Sequence, residues 1–134
     1  MLKAVLDTNV LVSGFSSLTG APGLIYDAWK NNRFELVVSE YILGEFIKTI
    51  NAKFNIPQEN LLDYLEDIYY AAEMVKEFGI EIKEVMPNDW PILGTAIAGY
   101  VDFLVTGDKK LLAIKHFHGI AIIAQAEFLK ILNS

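Results

Sequence analysis

Near its N-terminus the sequence reads Lys3-Ala4-Val5-Leu6-Asp7-Thr8-Asn9-Val10, and this segment carries the strongest structural signal in the chain. Residues 4–6 form a short continuous apolar run, which predicts a strand buried on both faces at the centre of a parallel sheet. Asp7 ends that run. An acid there lies at the carboxyl end of a strand, where open α/β sheets bind their ligands. Asp7 could equally cap the helix that follows, because aspartate is a favoured N-cap residue.

The composition predicts a single domain over residues 1–134. Hydrophobic residues make up 53% of the chain, which excludes a disordered protein. No apolar run is long enough to span a membrane, and the first strand leaves no room for a signal peptide before it. The chain has no cysteine, which excludes a disulfide framework, a thiolate zinc site and a thiol nucleophile. We therefore expect a cytoplasmic protein that does not contact a membrane.

The charge balance limits the kind of nucleic-acid contact that the chain could make. Its formal net charge is −6, which argues against a broad basic surface for duplex nucleic acid. Arg33 is the only arginine, so bidentate phosphate contacts are scarce. A group of acids that holds divalent cations would account for such a balance, because the metal would then carry the positive charge.

The rest of the sequence alternates short apolar segments with helical periodicity. Further strands are predicted at 34–38, 80–85, 103–105 and 120–123. The longest helix is predicted over 58–78, with Gly79 as its C′ residue. His116 and His118 are assigned to a surface loop that holds no metal. Strands that alternate with helices predict a three-layer α/β fold, in which helices flank a central parallel sheet of about five strands.

Four acids occupy comparable places in this pattern. Asp7 and Asp108 follow strands, whereas Glu45 and Asp89 lie near the starts of helices. Because the carboxyl ends of strands and the N-termini of helices share one edge of a parallel sheet, all four carboxylates can meet in one crevice. Converging carboxylates repel each other unless a cation or shared protons compensate them. Oxygen ligands of this kind favour Mg²⁺ or Mn²⁺ over zinc.

Several of these residues also have a plain structural interpretation. Glu45 by itself is typical of a solvated surface glutamate. Asp102 precedes a strand and is interpreted as structural. Tyr64, Tyr69 and Tyr70 could stack on nucleic-acid bases, but packing in the core or between subunits is the favoured interpretation.

Taken in order, the motifs resemble those of PIN domains, above all the small PIN toxins of toxin–antitoxin pairs. The resemblance covers nearly the whole chain. The matching motifs are Val5-Leu6-Asp7-Thr8-Asn9-Val10-Leu11, Ser39 with Glu45 six residues on, Asp89-x-x-Ile92-Leu93-x-x-Ala96, and Asp102-Phe103-Leu104-Val105-Thr106-Gly107-Asp108 with Leu111-Leu112. The third motif departs from the family pattern, because Asn88 precedes its acid and Trp90-Pro91 follow it.

The resemblance implies an endoribonuclease that cleaves RNA phosphodiesters with Mg²⁺ or Mn²⁺. Carried over by position, the catalytic and metal-holding acids are Asp7, Glu45, Asp89 and Asp108. We expect Asp7 and Asp108 to be the principal ligands and Asp89 to complete the first metal site. Glu45 would hold a second metal or orient the attacking water.

Three further residues are expected to support this chemistry. Asn9 and Thr106 would assist the acids, with Thr106 hydrogen-bonded to a phosphate or to a ligand carboxylate. Lys109 lies where it could meet the RNA backbone, although a solvated lysine fits the sequence equally well. The partners implied are an RNA substrate and a cognate antitoxin protein. The apolar arc of the long helix adds a predicted homodimer.

Two other functions remain open at this point. The first is a catalytically idle PIN-like module that binds RNA or protein. The second is a phosphoacceptor signalling domain, which also uses acids at strand ends with a threonine and a lysine. That domain needs paired acids after the first strand and a lysine after the last, whereas Ala124 and Gln125 follow the last strand here.

Overall fold

The computed structural model describes residues 1–16, 20–53 and 58–134. Its strands are β1 (Lys3–Leu6), β2 (Glu35–Ser39), β3 (Glu73–Val75), β4 (Phe103–Val105), β5 (His116–Phe117) and β6 (Ile120–Ile123). Its α-helices are α1 (Thr8–Ser16), α2 (Gly20–Lys30), α3 (Glu40–Lys53), α4 (Gln58–Ala71), α5 (Trp90–Ala98), α6 (Lys109–Ile114) and α7 (Gln125–Leu132). A 3₁₀ turn over Pro87–Asp89 leads into α5. No helix among these described residues is long and apolar enough to cross a bilayer.

The six strands form one sheet in the order β3-β2-β1-β4-β6-β5. All neighbouring strands are parallel except β5, which pairs antiparallel with β6. Helices flank this sheet, so the predicted three-layer α/β architecture is confirmed. The sheet has six strands where about five were expected: β3 and the short antiparallel β5 were not predicted, and the segment 80–85 that was predicted as a strand does not join the sheet.

β1 lies in the middle of the sheet, between β2 and β4. Ala4 and Val5 are completely buried, as expected for a strand covered by helices on both faces. Hydrogen bonding continues past the strand ends, since the Asp7 amide donates to the Val105 carbonyl and the Thr106 amide donates to the Ile123 carbonyl, each at 3.0 Å. The residues that follow β1 and β4 are therefore held side by side at the carboxyl edge of the sheet.

An aromatic cluster packs α4 against the other helices. The Tyr64 ring lies 4.7 Å from that of Phe15 and 5.3 Å from those of Tyr26 and Phe46, measured between centroids. Burial raises the pKa of the Tyr64 hydroxyl well above its ordinary value. Tyr64 is therefore a core residue, in agreement with the favoured interpretation of the sequence.

The long helix is shorter than predicted. α4 ends at Ala71 instead of residue 78, and Gly79 lies in irregular backbone, so it is not a C′ residue. Residues Glu73–Val75 instead form β3, which pairs with Val37–Ser39 of β2. Without β3 the backbone groups of β2 would be unpaired at the sheet edge, and this pairing outweighs the helical periodicity that continues through the segment.

The strand predicted at 80–85 is also wrong, because this segment forms irregular backbone and a turn. Ile80 and Ile82 are partly buried against the core and Val85 is buried, which accounts for the alternation of apolar and charged residues. The Ile82 carbonyl accepts a hydrogen bond of 2.9 Å from the Trp90 indole instead of from another strand. Alternation therefore reflected burial alone here, without strand pairing.

The segment with two histidines is a hairpin instead of the predicted surface loop. His116 lies in β5, and His118-Gly119 forms the two-residue turn to β6 with φ values of 50° and 80°. Turns with two positive φ values match the twist of antiparallel strands, and glycine adopts that geometry without strain. Both histidines are exposed.

Candidate functional site

A polar cleft of about 550 Å³ opens at the carboxyl edge of the sheet. The four acids singled out by the sequence, Asp7, Glu45, Asp89 and Asp108, all line it. They come from four different parts of the chain: the end of β1, helix α3, the start of α5 and the loop after β4. The fold therefore brings together acids that lie up to about a hundred residues apart in sequence.

Asp7 is the most deeply placed acid of the cleft, with only 6% of its surface exposed. Its Oδ1 accepts hydrogen bonds from the backbone amides of Asn9 and Val10, at 2.8 and 3.4 Å, and so caps α1. Its Oδ2 accepts a 2.6 Å hydrogen bond from the buried hydroxyl of Thr106. Asp7 thus caps the helix and also lines the cleft, so the two interpretations of this residue are compatible.

Asp108 repeats this arrangement after β4. Its Oδ1 accepts a 2.8 Å hydrogen bond from the Lys110 amide, which makes it the N-cap of α6. Its own amide donates to the Thr106 hydroxyl oxygen at 3.0 Å. One threonine hydroxyl therefore joins the two acids that follow neighbouring strands, and both of its hydrogen-bonding functions are used.

Asp89 differs from these two acids. It occupies the N-cap position of α5, but its side chain makes no capping hydrogen bond. Partial burial is the main reason that its pKa is raised above the ordinary value of 3.8. The negative charges of Asp108 and Asp7 and a side-chain hydrogen bond with Asp108 raise the pKa further, whereas the positive charge of Lys110 lowers it. The carboxylate of Asp89, which caps no helix amide, is thus partly buried and close to two other acids.

Glu45 lies in α3, in a row of cleft-lining residues spaced four apart: Tyr41, Glu45 and Thr49. Residues at this spacing share one helix face. Burial raises the pKa of the Tyr41 hydroxyl, and the nearby negative charges of Glu45 and Asp89 raise it further. Tyr41 is therefore close to two acids from different elements.

A family model described as the PIN domain matches residues 3–110 of the sequence. The chain belongs to the PIN-domain family. The resemblance inferred from the motifs is confirmed, and the matched range contains all four acids of the cleft.

Solved structures with the same fold extend over almost the whole chain. VapBC2 from Rickettsia felis, bound to a DNA fragment from its promoter, matches with a TM-score of 0.60 and 18% identity, over 92% of this chain and 98% of that one. DNA-bound VapBC from Salmonella typhimurium gives 0.59 and 22%, over 93% and 99%. PAE2754 from Pyrobaculum aerophilum gives 0.62 and 16%, over 98% and 90%. No curated protein sequence matches the chain significantly.

The supporting residues named from the sequence also lie at this PIN-domain cleft. Asn9 and Lys109 line it with exposed side chains, and Thr106 lies behind it between Asp7 and Asp108. Lys110 lines it as well. By contrast, Asp102 lies at the opposite edge of the sheet, where its Oδ2 accepts a 2.9 Å hydrogen bond from the Lys3 amide. Its structural interpretation agrees with this geometry.

Sequence reasoning missed Tyr41 and Thr49 as cleft residues. The signal that could have identified them is their spacing of four residues on either side of Glu45 within one helix. Whether that face meets the cleft depends on how α3 packs, and this packing is not visible in the local sequence.

The cleft suits a divalent cation through the chemistry of its donors, although the ligand set is not preassembled. Among the described residues, no three His, Cys, Asp or Glu side chains are placed to hold one ion together. Mg²⁺ nevertheless keeps several of its own water molecules in protein sites, so one or two carboxylates are enough to bind it. Burial, and after it the negative charges of Asp108 and Asp7, raise the pKa of Asp89, and a cation in the cleft would offset those charges.

Proposed function

We propose that this PIN-domain protein is a metal-dependent endoribonuclease that cleaves RNA phosphodiesters, acting as the toxin of a toxin–antitoxin pair. The observation that carries the proposal is the meeting of Asp7, Glu45, Asp89 and Asp108 in one cleft, where two of them, Asp108 and Asp7, add to the effect of burial in raising the pKa of Asp89. Like charges held together at the edge of a stable sheet are compensated by a cation or by shared protons, and carboxylate ligands of this kind suit a divalent cation. Membership in a family whose members are typically nucleases supports the same conclusion.

In this proposal the acids divide the work by position. Asp7 and Asp108 are the principal ligands for Mg²⁺ or Mn²⁺; the Thr106 hydroxyl orients the carboxylate of Asp7 and accepts the backbone amide of Asp108. Asp89 completes their site because its carboxylate is not used for capping. Glu45 holds a second ion or orients the attacking water from α3. The bound cation would lower the pKa of a water molecule and stabilise the negative charge that develops on the phosphate.

The two lysines at the cleft are proposed to bind the RNA backbone. Lys109 and Lys110 are exposed and line the same cleft as the acids. Ammonium groups there offset the carboxylates and meet phosphate oxygens as point charges. Asn9 is exposed beside them and can donate hydrogen bonds to the substrate. Because the protein carries a net charge of −6, the local cationic patch favours a short single-stranded segment over a long duplex.

A cognate antitoxin protein is the proposed partner, and the cytoplasm the proposed place of the reaction. Two of the similar structures are VapBC complexes bound to DNA, which supports a paired protein for this chain. The resemblance of the sequence to small PIN toxins points the same way.

We also propose a homodimer, with α4 as part of its interface. This helix exposes Leu62, Tyr69 and Tyr70 at 59%, 63% and 88% of their surfaces. Exposed apolar side chains on one element are typical of a protein interface. Light scattering that gives the monomer mass at high concentration would exclude this assembly.

The decisive experiment replaces single acids by their amides. We expect Asp7→Asn and Asp108→Asn each to reduce Mn²⁺-dependent cleavage of a mixed-sequence single-stranded RNA by orders of magnitude, and to shrink the rise in melting temperature that Mn²⁺ produces. Asparagine still caps α1 at position 7, and the loss of one charge relieves repulsion, so the metal-free variants should remain folded.

Asp102→Asn is the matched control, because it removes a carboxylate at the other edge of the sheet. It should leave cleavage and the Mn²⁺ response unchanged. Cleavage that persists undiminished in Asp7→Asn would overturn the nuclease mechanism. A wild-type protein that binds RNA but never cleaves it would instead be the idle binding module.

A further inference from the structure

Asp89 is the acid of the cleft that follows the longest stretch of irregular backbone. Residues 76–86, which lead to it, contain neither helix nor strand, and its own side chain does not cap α5. Asp7 and Asp108, in contrast, follow strands and are fixed by their capping hydrogen bonds. The position of Asp89 therefore depends on how the turn that carries it is attached to the rest of the fold.

One such attachment comes from α3. The Tyr41 hydroxyl donates a hydrogen bond of 2.9 Å to the backbone carbonyl of Asn88, the residue before Asp89. Tyr41 lies in the first turn of α3, one turn before Glu45, and both side chains line the cleft. A single side chain thus links the helix that carries Glu45 to the turn that carries Asp89.

The hydroxyl has one proton, and the Asn88 carbonyl already accepts it. Tyr41 is therefore engaged in holding the backbone, and it is not set up to pass a proton to a substrate. Loss of this hydrogen bond would leave the Tyr41 ring in place but would remove one link between α3 and the turn that carries Asp89.

We propose that Tyr41 is a positioning residue, which holds Asp89 across the cleft from Glu45 through its hydrogen bond to Asn88. This assignment rests on the proposed metal-dependent function, because it gives Asp89 a defined place in the metal site. We therefore expect that loss of the Tyr41 hydroxyl weakens metal binding. The metal-free protein should be destabilised no more than by the loss of an ordinary surface hydrogen bond.

The test compares Tyr41→Phe with Tyr26→Phe. Tyr26 is the matched control because its hydroxyl also bonds to a polar partner, Asp67 Oδ2 at 3.5 Å, but away from the cleft. The first measurement is hydrogen exchange of the metal-free proteins at the amides of 88–90. The second is the Mn²⁺ concentration that gives half of the maximal rise in melting temperature, with RNA cleavage measured alongside.

For Tyr41→Phe we expect faster exchange at 88–90 and an increase of about fivefold in the Mn²⁺ concentration required, the factor that corresponds to ~1 kcal/mol for one hydrogen bond. The melting temperature without metal should match that of Tyr26→Phe. If exchange and the Mn²⁺ requirement are equal in the two variants, Tyr41 is not a positioning residue. Faster exchange with an unchanged Mn²⁺ requirement would overturn the proposal too, since the turn would then move without consequence for the site.

These results separate the two proposals. A wild-type protein with neither Mn²⁺ response nor cleavage would overturn the proposed function, and the role of Tyr41 with it. A wild-type protein that responds to Mn²⁺ and cleaves RNA, beside a Tyr41→Phe variant indistinguishable from Tyr26→Phe, would overturn the role of Tyr41 alone.

Discussion

The Thr106 hydroxyl joins two acids of the cleft, and its removal is the most informative single change. Thr106 is completely buried; it donates to Asp7 Oδ2 at 2.6 Å and accepts the Asp108 amide at 3.0 Å. Thr106→Val keeps the shape of the side chain but leaves a charged oxygen and an amide without their partner. The variant therefore tests whether these hydrogen bonds hold the site together.

The magnitude follows from those two bonds. A hydrogen bond to a charged group contributes about 1.5–3 kcal/mol, and an unpaired buried amide costs about 1–3 kcal/mol. Asp108 is only half-buried, so water can reach part of it, and we expect a total loss of about 2–4 kcal/mol. With an unfolding entropy of about 2.1 cal/mol/K per residue, that loss lowers the melting temperature of a 134-residue chain by about 7–14 °C.

The assay is a thermal melt with and without Mn²⁺. In Thr106→Val the Mn²⁺-induced rise should shrink, because Asp7 loses the contact that orients its carboxylate. Thr95→Val is the control: this threonine is also completely buried, and its hydroxyl oxygen lies 2.7 Å from the Pro91 carbonyl and 2.8 Å from Ser39 Oγ. It should destabilise the fold and leave the Mn²⁺ rise intact. A Thr106→Val protein that melts like the wild type would refute the reasoning.

Two further predictions concern the crowded acid and a close backbone contact. Because Asp89 has a raised pKa in the folded protein, the native state holds its proton to a higher pH than the unfolded chain, so the contribution of Asp89 to the stability of the metal-free protein should fall as pH rises above about 4. Melting temperatures measured in EDTA across this pH range should fall less steeply with pH in Asp89→Asn than in the wild type; an equal slope would contradict the raised pKa. Gly94→Ala should cost about 3 kcal/mol in chemical denaturation, since the added Cβ would lie 2.1 Å from the Phe78 carbonyl oxygen. Gly44→Ala, an exposed helix position with nothing within 4 Å, should instead stabilise by ~1 kcal/mol, and equal outcomes for the two would count against the contact.

The sequence identified the centre of the sheet and the acids beside it because both are local patterns. A strand covered on two faces must be apolar throughout, and β1 and β4 read that way in the sequence. Asp7 directly follows β1 and Asp108 lies three residues past the end of β4, so their placement at one edge required only the assumption of parallel pairing. Glu45 and Asp89 joined them because both lie near the starts of helices, although Glu45 by itself is typical of a surface glutamate, and the family resemblance then implied catalytic roles for all four acids.

Local patterns failed where a distant part of the chain decided the outcome. Residues 72–78 continue the periodicity of α4, yet Glu73–Val75 become a strand because β2 has an open edge nearby. The alternation at 80–85 predicted a strand but reflects only burial of Ile80, Ile82 and Val85 against the core. Nothing within either segment distinguishes these cases, because the partner that decides them lies elsewhere in the sequence.

The site divides in the same way. The sequence itself determined which acids lie at the ends of strands, because a buried strand is an apolar run and the residues after it are fixed by the local backbone. The tertiary structure decided that Thr106 bonds to both Asp7 and Asp108, that Asp89 is left without a capping role, and that Tyr41 reaches Asn88 from another helix. The physical reason is that hydrogen bonds and charge repulsion act over a few ångströms in space, between residues that chain folding brings together from as many as 99 positions apart.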